Sequence, residues 1–208
     1  MNNLHIAPRL GVFGGTFDPI HNGHFAVAEA VRAELDLDEV WFVVAADQWL
    51  RKNPPVASIY ARLEMLELAL RRAPYFKASD VEVVRGGSTY TVDTLTYLRT
   101  KLAEDVEMFL IVGADSAICM DQWKMAEELR SLAKVVVVGR SRTDFNTEKL
   151  PESHPAKEAR YVEGPMRDIS ATTIRRLMEA GETISGMVDA PVSEYIMSHG
   201  LYSWQEQK

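Results

Sequence analysis

Two histidines lie three residues apart in a segment that is otherwise rich in glycine. The segment reads GGTFDPIHNGH from Gly14 to His24 and follows a short apolar run. At the start of a helix this spacing places the rings of His21 and His24 on one face, close to backbone N–H groups without a partner inside the helix. The paired glycines also let the backbone approach a ligand closely, because no Cβ stands in the way. Donors at the positive end of a helix dipole favour an anion, so the segment predicts a phosphate site.

Two other interpretations of this segment stay open. A His-x-x-His pair could bind a metal, although three protein ligands are the usual minimum for a catalytic zinc and no third one is evident nearby. Gly and Pro also punctuate ordinary turns, so the histidines could be incidental. The segment matches neither the G-x-G-x-x-G fingerprint nor a Walker loop. The single cysteine, Cys119, excludes an intramolecular disulfide and a thiolate zinc site.

Basic and hydroxyl side chains follow other apolar runs and could add to a phosphate site. Arg140 comes directly after one run, and Lys52 lies in a polar loop after another. A lysine or arginine at such a place could clamp a triphosphate. Ser170, Thr172 and Arg175 lie at the start of a predicted helix, where they could hold the outer phosphates.

The elements that must position these residues are short apolar runs that alternate with segments of helical period. Runs with almost no polar residue are typical of parallel strands covered on both faces. They lie at residues 10–13, 40–44, 108–112 and 135–138, with a last strand expected at 160–162. Apolar stripes predict helices between them, one beginning near Ser58, and two more close the chain at 170–179 and 192–198. This order predicts an α/β fold: a doubly wound, Rossmann-like, mostly parallel sheet with helices on both faces and ligands at the carboxyl ends of its strands.

Composition limits the class of protein and of partner. The chain has 208 residues, 47% of them hydrophobic, and a formal net charge of −7. This length fits one domain over 1–208, with C-terminal helices at about 168–202 packed on the sheet. Net acidity disfavours a nucleic-acid surface, and the lack of a leader or spanning apolar run predicts a cytoplasmic protein without a membrane partner. A homo-oligomer stays open, and the polar segment 143–159 is expected to be an exposed excursion.

The segment from Gly14 to His24 resembles the signature of the nucleotidyltransferase superfamily with an H-x-G-H motif. Its Phe-Asp-Pro-Ile-His stretch is most similar to the bacterial nicotinate-nucleotide adenylyltransferases. The resemblance extends over nearly the whole chain.

Segments further along the chain carry the same resemblance, with three departures. Residues 89–91 are similar to the family's Ser-Tyr-Thr, with Thr89 in place of the serine. Residues 169–175 are similar to Ile-Ser-Ser-Thr-x-Ile-Arg, with Ala171 in place of the second serine. The loop before Lys52 differs from the family's Pro-Pro-His-Lys-like sequence, and only the lysine matches.

The resemblance implies adenylyl transfer from ATP to nicotinate mononucleotide, which yields deamido-NAD and pyrophosphate in NAD biosynthesis. It implies that His21 and His24 are catalytic and that Mg²⁺ is held mainly by ATP phosphates and water, with no metal ligand from the protein. The ATP-binding residues would be Gly14, Gly15, Thr16, Phe17, His21, His24, Lys52, Arg140, Ile169, Ser170, Thr172 and Arg175.

The resemblance also implies how the second substrate is held. Backbone groups of Tyr90 and Thr91 would recognise the pyridine carboxylate, and Trp123 would stack on the pyridine ring. Asp115 follows a strand, where its carboxylate could accept hydrogen bonds from ribose hydroxyls. Thr91 could also act as a helix N-cap, and the two roles can coexist.

Three alternative functions differ in acceptor or in class. The acceptor could be nicotinamide mononucleotide or phosphopantetheine, or the enzyme could be a cytidylyltransferase, since such enzymes share the phosphate machinery. A nucleotide-binding sensor without catalysis is a second alternative, although it would be expected to lack one of the two histidines. A tRNA synthetase fragment is disfavoured by the net acidity and by the absence of a Lys-Met-Ser-Lys-Ser-like loop.

Overall fold

A six-stranded parallel sheet organises the part of the chain that the structure describes. The structure is a computed structural model that describes residues 8–46, 54–141, 145–164 and 169–203. The strands are β1 (Arg9–Gly15), β2 (Glu39–Val44), β3 (Phe76–Ser79), β4 (Glu107–Gly113), β5 (Lys134–Gly139) and β6 (Arg160–Glu163). They pair in the order β3-β2-β1-β4-β5-β6, and every pair is parallel. The order reverses between β1 and β4, which is the switch point where open α/β sheets bind ligands.

Helices connect the strands, as the sequence predicts. They are α1 (Asn22–Glu34), α2 (Ile59–Leu70), α3 (Val81–Arg85), α4 (Thr91–Lys101), α5 (Ala114–Ile118), α6 (Leu129–Leu132), α7 (Ala171–Glu179) and α8 (Ala190–Ser198). Short 3-10 helices cover Met120–Gln122, Ala126–Glu128 and Thr147–Lys149. Ser58 and Ser170 cap α2 and α7, each by accepting the N–H of the residue three positions on. Both predicted helix starts are therefore confirmed.

The sheet separates two apolar cores, so helices cover both of its faces. Val31 of α1, Leu66 of α2 and Ile174 of α7 are buried in the core on one face. Leu95 of α4 and Leu129 of α6 are buried in the core on the other face. The predicted doubly wound α/β fold is confirmed. Within the described ranges, no helix is long and apolar enough to cross a membrane.

One strand was not predicted, and one expectation about an exposed segment holds only in part. Strand β3 was not among the predicted apolar runs, because it has four residues at the edge of the sheet and only Phe76 among them is a large apolar residue. Most described residues of the segment 143–159 are exposed or half-buried, as expected, but Phe145, His154 and Ala156 are buried. Phe145 and Ala156 pack into the core that contains α4, so a few small apolar contacts fold a polar segment onto the sheet.

Candidate active site

The two histidines lie together at the start of α1. His21 is the N-cap residue, with extended backbone, and His24 occupies the third helical position. Their rings are stacked, with centroids 3.7 Å apart and planes inclined by 22°. The N–H of His21 donates to Nδ1 of His24 over 3.2 Å. A neutral His24 ring that accepts at Nδ1 carries its proton on Nε2, so Nε2–H is the donor it can offer to a ligand.

Burial keeps both rings neutral. His21 is only 7% exposed, and burial lowers its pKa from 6.5 to about 4. The pKa of His24 is also well below 6.5, first through burial and second through the charge that His21 would carry. Two imidazolium rings at stacking distance would repel each other. The pair can therefore donate hydrogen bonds to a phosphate near neutral pH without being charged.

Small and aromatic residues hold this pair in place. A Cβ on Gly23 would lie 2.9 Å from Nδ1 of His21, so only glycine leaves the His21 ring room against the helix. Phe17 is buried, and its ring meets the His24 ring edge-on with centroids 5.0 Å apart. The side chain of Phe17, which the sequence assigns to ATP binding, thus supports His24 from the core. Any contact of Phe17 with a ligand would come from its backbone.

Arg175 links the start of α7 to the histidine segment. Its Nη1 donates to the carbonyl oxygen of Asp18 over 2.7 Å, and its Nη2 donates to Oγ1 of Thr172 over 3.3 Å. The carbonyl of Ile169 lies 3.5 Å from the place where a Cβ of Gly23 would be. Two predicted phosphate-binding segments, 14–24 and 169–175, are therefore neighbours in the fold.

A buried arginine joins the ends of β1 and β2. Arg62 on α2 is 2% exposed, and its Nη1 donates to the carbonyls of Thr16 and Ala45 over 2.8 and 2.9 Å. Its Nε donates to the carbonyl of Ala57 over 3.3 Å. Arg62 is not among the residues predicted for the site, although a charged residue inside the apolar stripe of a helix is a signal that indicates such a buried role.

A cavity of about 410 Å³ opens at the carboxyl ends of β1 and β4. This volume is within the usual range for small-molecule sites. Five residues that the sequence predicts for the site line it: Gly14, Gly15, Tyr90, Thr91 and Trp123.

The start of α4 forms one wall of this cavity. Tyr90 is the N-cap residue of α4, in extended backbone, and Thr91 is the first helical residue. The expectation that Thr91 acts as N-cap is therefore wrong by one position, because the extended conformation belongs to Tyr90. The first N–H groups of a helix have no partner within it, so this wall can offer donors to an anion.

Glu82 is a buried carboxylate in the wall of the cavity that the sequence did not single out. It is 5% exposed, and its Oε1 accepts a hydrogen bond from Oγ1 of Thr94 over 2.7 Å. The same hydroxyl lies 3.3 Å from the carbonyl oxygen of Tyr90. Burial raises the pKa of Glu82, and hydrogen bonds from Thr94 and Thr89 oppose this shift. Glu82 thereby fixes the backbone of the segment before α4.

The remaining predicted site residues lie apart from the cavity or outside the described residues. Arg140 is exposed directly after β5, and Asp115 is exposed in the first turn of α5. Neither lines the cavity. Lys52 lies outside the described residues. Within those residues, no group of three His, Cys, Asp or Glu side chains is arranged to hold a metal ion.

Comparison with known proteins identifies similar sequences over almost the full length. The cytidylyltransferase-like family model matches residues 12–177. A relative from Dehalococcoides mccartyi, named "Probable nicotinate-nucleotide adenylyltransferase", is 34% identical over 203 residues, which cover 96% of this chain and 100% of the relative. A relative of the same name from Thermomicrobium roseum is 40% identical over 196 residues, which cover 93% of this chain and 91% of the relative.

Solved structures share the fold at low sequence identity. Plasmodium falciparum nicotinic acid mononucleotide adenylyltransferase complexed with NaAD superimposes with a TM-score of 0.74 at 19% identity, over 94% of this chain and 97% of the other. The same enzyme complexed with APC gives a TM-score of 0.72 at 19% identity, over the same shares of the two chains. At this identity the likeness establishes the fold.

Proposed function

The chain belongs to the cytidylyltransferase-like family and has relatives named "Probable nicotinate-nucleotide adenylyltransferase", and from this premise we propose that it transfers the adenylyl group of ATP to nicotinate mononucleotide. The products are deamido-NAD and pyrophosphate, and the reaction belongs to NAD biosynthesis. The observation that carries the proposal is the neutral, stacked pair His21 and His24 after β1, in the same segment whose Asp18 carbonyl accepts a hydrogen bond from Arg175.

The reaction needs charge stabilisation more than it needs a base. A phosphate oxygen of nicotinate mononucleotide attacks the α-phosphorus of ATP, a new P–O bond forms, and the bond from that phosphorus to the pyrophosphate oxygen breaks. A phosphate monoester is already an anion near neutral pH, so no proton has to be removed from it. Catalysis then depends on in-line positioning and on donors to the developing charge.

The residues around the histidine pair supply those donors. Nε2–H of His24 donates to the phosphate under attack, and His21 packs against it and keeps its ring in place. Arg175 and the N-terminus of α7 neutralise the outer phosphates that leave as pyrophosphate. The other proposed ATP contacts are Gly14, Gly15, Thr16, the backbone of Phe17, Lys52, Arg140, Ile169, Ser170 and Thr172.

The cavity between β1 and β4 receives the acceptor. The backbone at Tyr90 and Thr91 binds the pyridine carboxylate, because the start of α4 favours a negative charge. Trp123 lines the same cavity and stacks on the pyridine ring. Asp115 lies in the helix after β4 and accepts hydrogen bonds from the ribose.

Mg²⁺ enters with the ATP in this proposal. Asp18 carries the carboxylate nearest in sequence to the histidines, and its oxygens already accept hydrogen bonds from Val56, Ala57 and Tyr202. ATP phosphates and water are therefore the expected ligands of the ion, which favours coordination with several waters. We also propose that residues 1–208 form one nucleotidyltransferase domain, which the single sheet with its two cores supports.

The His24→Ala variant tests this proposal. The variant should lose about 10²- to 10³-fold in turnover, since it lacks a donor to the developing charge. Turnover is followed as pyrophosphate release from ATP and nicotinate mononucleotide, and circular dichroism checks that the fold is retained. His199→Ala, at an exposed position after α8, is the matched control and should keep the wild-type rate. A folded His24→Ala variant with an intact rate would refute the assignment.

A further inference from the structure

The carboxylate of Asp18, in the predicted phosphate-binding segment 14–24, is buried and contacts the turn after α8. Asp18 is 3% exposed. Its Oδ2 accepts the N–H of Val56 over 2.8 Å, and its Oδ1 accepts the N–H of Ala57 over 3.1 Å. The hydroxyl of Tyr202, which is 184 residues away in the chain, donates to the same Oδ1 over 2.7 Å. Three donors from two distant segments therefore satisfy this carboxylate.

Tyr202 is held in a backbone conformation that few residues with a side chain adopt. Its φ is +61°, in the left-handed region, and its side chain is 8% exposed. Burial and the neighbouring Asp18 raise the pKa of its hydroxyl, so the hydroxyl stays protonated and acts as a donor. The turn after α8 thus delivers one hydroxyl to one carboxylate oxygen.

Arg175 contacts the same aspartate without forming a close ion pair. Its Nη1 donates to the carbonyl oxygen of Asp18, while the distance from that nitrogen to Oδ2 is 3.9 Å. A guanidinium has five N–H donors, and these contacts together with the bond to Thr172 leave donors for a phosphate. A carboxylate that lacked one of its other donors would attract the guanidinium more strongly.

We propose that Tyr202 is a positioning residue for adenylyl transfer. By donating to Asp18, it prevents that carboxylate from drawing Arg175 into a close ion pair, and it so keeps the guanidinium directed at the phosphates of ATP. The inference rests on the proposed function, because it assigns Arg175 to those phosphates. The turn after α8 is far from the histidines in sequence, yet through Tyr202 it sets the geometry of ATP binding.

The Tyr202→Phe variant removes only the hydroxyl and tests this inference. A hydrogen bond to a charged group contributes enough for its loss to raise the KM for ATP about tenfold. The KM for nicotinate mononucleotide should stay within about twofold, because Tyr90 and Trp123 pack against the core on the face of the sheet opposite to Tyr202. Tyr195→Phe is the matched control: Tyr195 lies on α8, its ring stacks on His199, and both KM values should match the wild type.

A double-mutant cycle separates positioning from a purely structural role. In an Arg175→Ala background, Tyr202→Phe should add no further change to the KM for ATP, because the group that it positions is absent. Asp18→Asn offers a second route to the same link: an amide has no charge to draw the guanidinium, so Tyr202→Phe should add no rise in the KM for ATP in the Asp18→Asn background. Melting temperatures of all variants are measured alongside.

The outcomes distinguish this inference from the proposed function. A wild-type protein without adenylyl transfer would refute the proposed function itself. An active wild type with an unchanged KM for ATP in Tyr202→Phe would overturn the positioning role. A rise in KM that persists in the Arg175→Ala background, or that is equal for both substrates, would overturn it too, since a general loss of structure would act in that way.

Discussion

Acid should destabilise the fold through His21, and the structure gives the size of the effect. Burial holds the pKa of His21 at about 4 in the folded protein, against 6.5 for an unperturbed histidine. Above pH 6.5 the ring is neutral in both states and the effect is absent. Between pH 6.5 and about 4 the unfolded chain binds a proton that the folded protein does not bind, so stability falls as the pH falls. At about 1.4 kcal/mol for each pH unit in this window, the loss between pH 7 and pH 5 is about 2 kcal/mol.

The comparison of the wild type with His21→Asn isolates this effect. Asparagine is a favoured N-cap residue and does not titrate, so the variant keeps the start of α1 without the proton. Free energies of unfolding are measured by urea denaturation at pH 7, 6 and 5, with His199→Asn as the exposed control. Relative to His21→Asn, the wild type should lose about 2 kcal/mol between pH 7 and pH 5. A difference between the two proteins that stays constant with pH would refute the claim that the His21 ring is buried and neutral.

Two further predictions concern the cavity at the carboxyl ends of β1 and β4, which is proposed to bind nicotinate mononucleotide. Trp123→Ala should raise the KM for nicotinate mononucleotide about fivefold or more, since stacking contributes about 1 kcal/mol beyond burial, and should leave the KM for ATP unchanged; equal effects on both substrates would contradict stacking. Glu82→Ala removes the closer acceptor of the buried Thr94 hydroxyl and leaves it only the carbonyl of Tyr90 at 3.3 Å, so it should cost about 1 kcal/mol of unfolding free energy and raise the KM for nicotinate mononucleotide. Glu82→Gln keeps an acceptor there, and kinetics and urea denaturation should show it much closer to the wild type than Glu82→Ala.

The parts of the site that were predictable from sequence are local. The spacing of His21 and His24 after an apolar run and two glycines places both rings at one helix start, and the structure has them there. Uninterrupted apolar runs predict buried parallel strands, and the sheet contains each of those at 10–13, 40–44, 108–112 and 135–138. In these cases the residues that form the sequence pattern are the same residues that form the helix start or the strand.

The parts that were not predictable depend on partners distant in the chain. Nothing near Tyr202 in sequence indicates a hydrogen bond to Asp18, because the pairing exists only after α8 packs into the core that contains Val31 and Leu66. Arg62 is in an apolar stripe, where its charge is unexpected, and its carbonyl partners lie at the ends of other elements. Glu82 is an acidic residue in a short helix, and only the fold turns it into the wall of a cavity.

The net charge of −7 is compatible with anionic substrates because the proposed site concentrates its donors. Neutral histidines, helix N-termini and Arg175 come from separate segments and meet at one edge of the sheet. Backbone and imidazole donors bind phosphate without adding formal charge. Overall acidity therefore disfavours a broad polyanion surface and is compatible with the proposed local phosphate site.

The most direct test of the proposed function is a comparison of acceptors with the purified wild-type protein. ATP and Mg²⁺ are supplied with nicotinate mononucleotide, nicotinamide mononucleotide or phosphopantetheine, pyrophosphate release is followed, and the dinucleotide product is identified by mass spectrometry. We predict that nicotinate mononucleotide gives the highest kcat/KM, with one deamido-NAD formed for each pyrophosphate released. Preference for either of the other acceptors, or the absence of pyrophosphate release with all three, would contradict the proposed function.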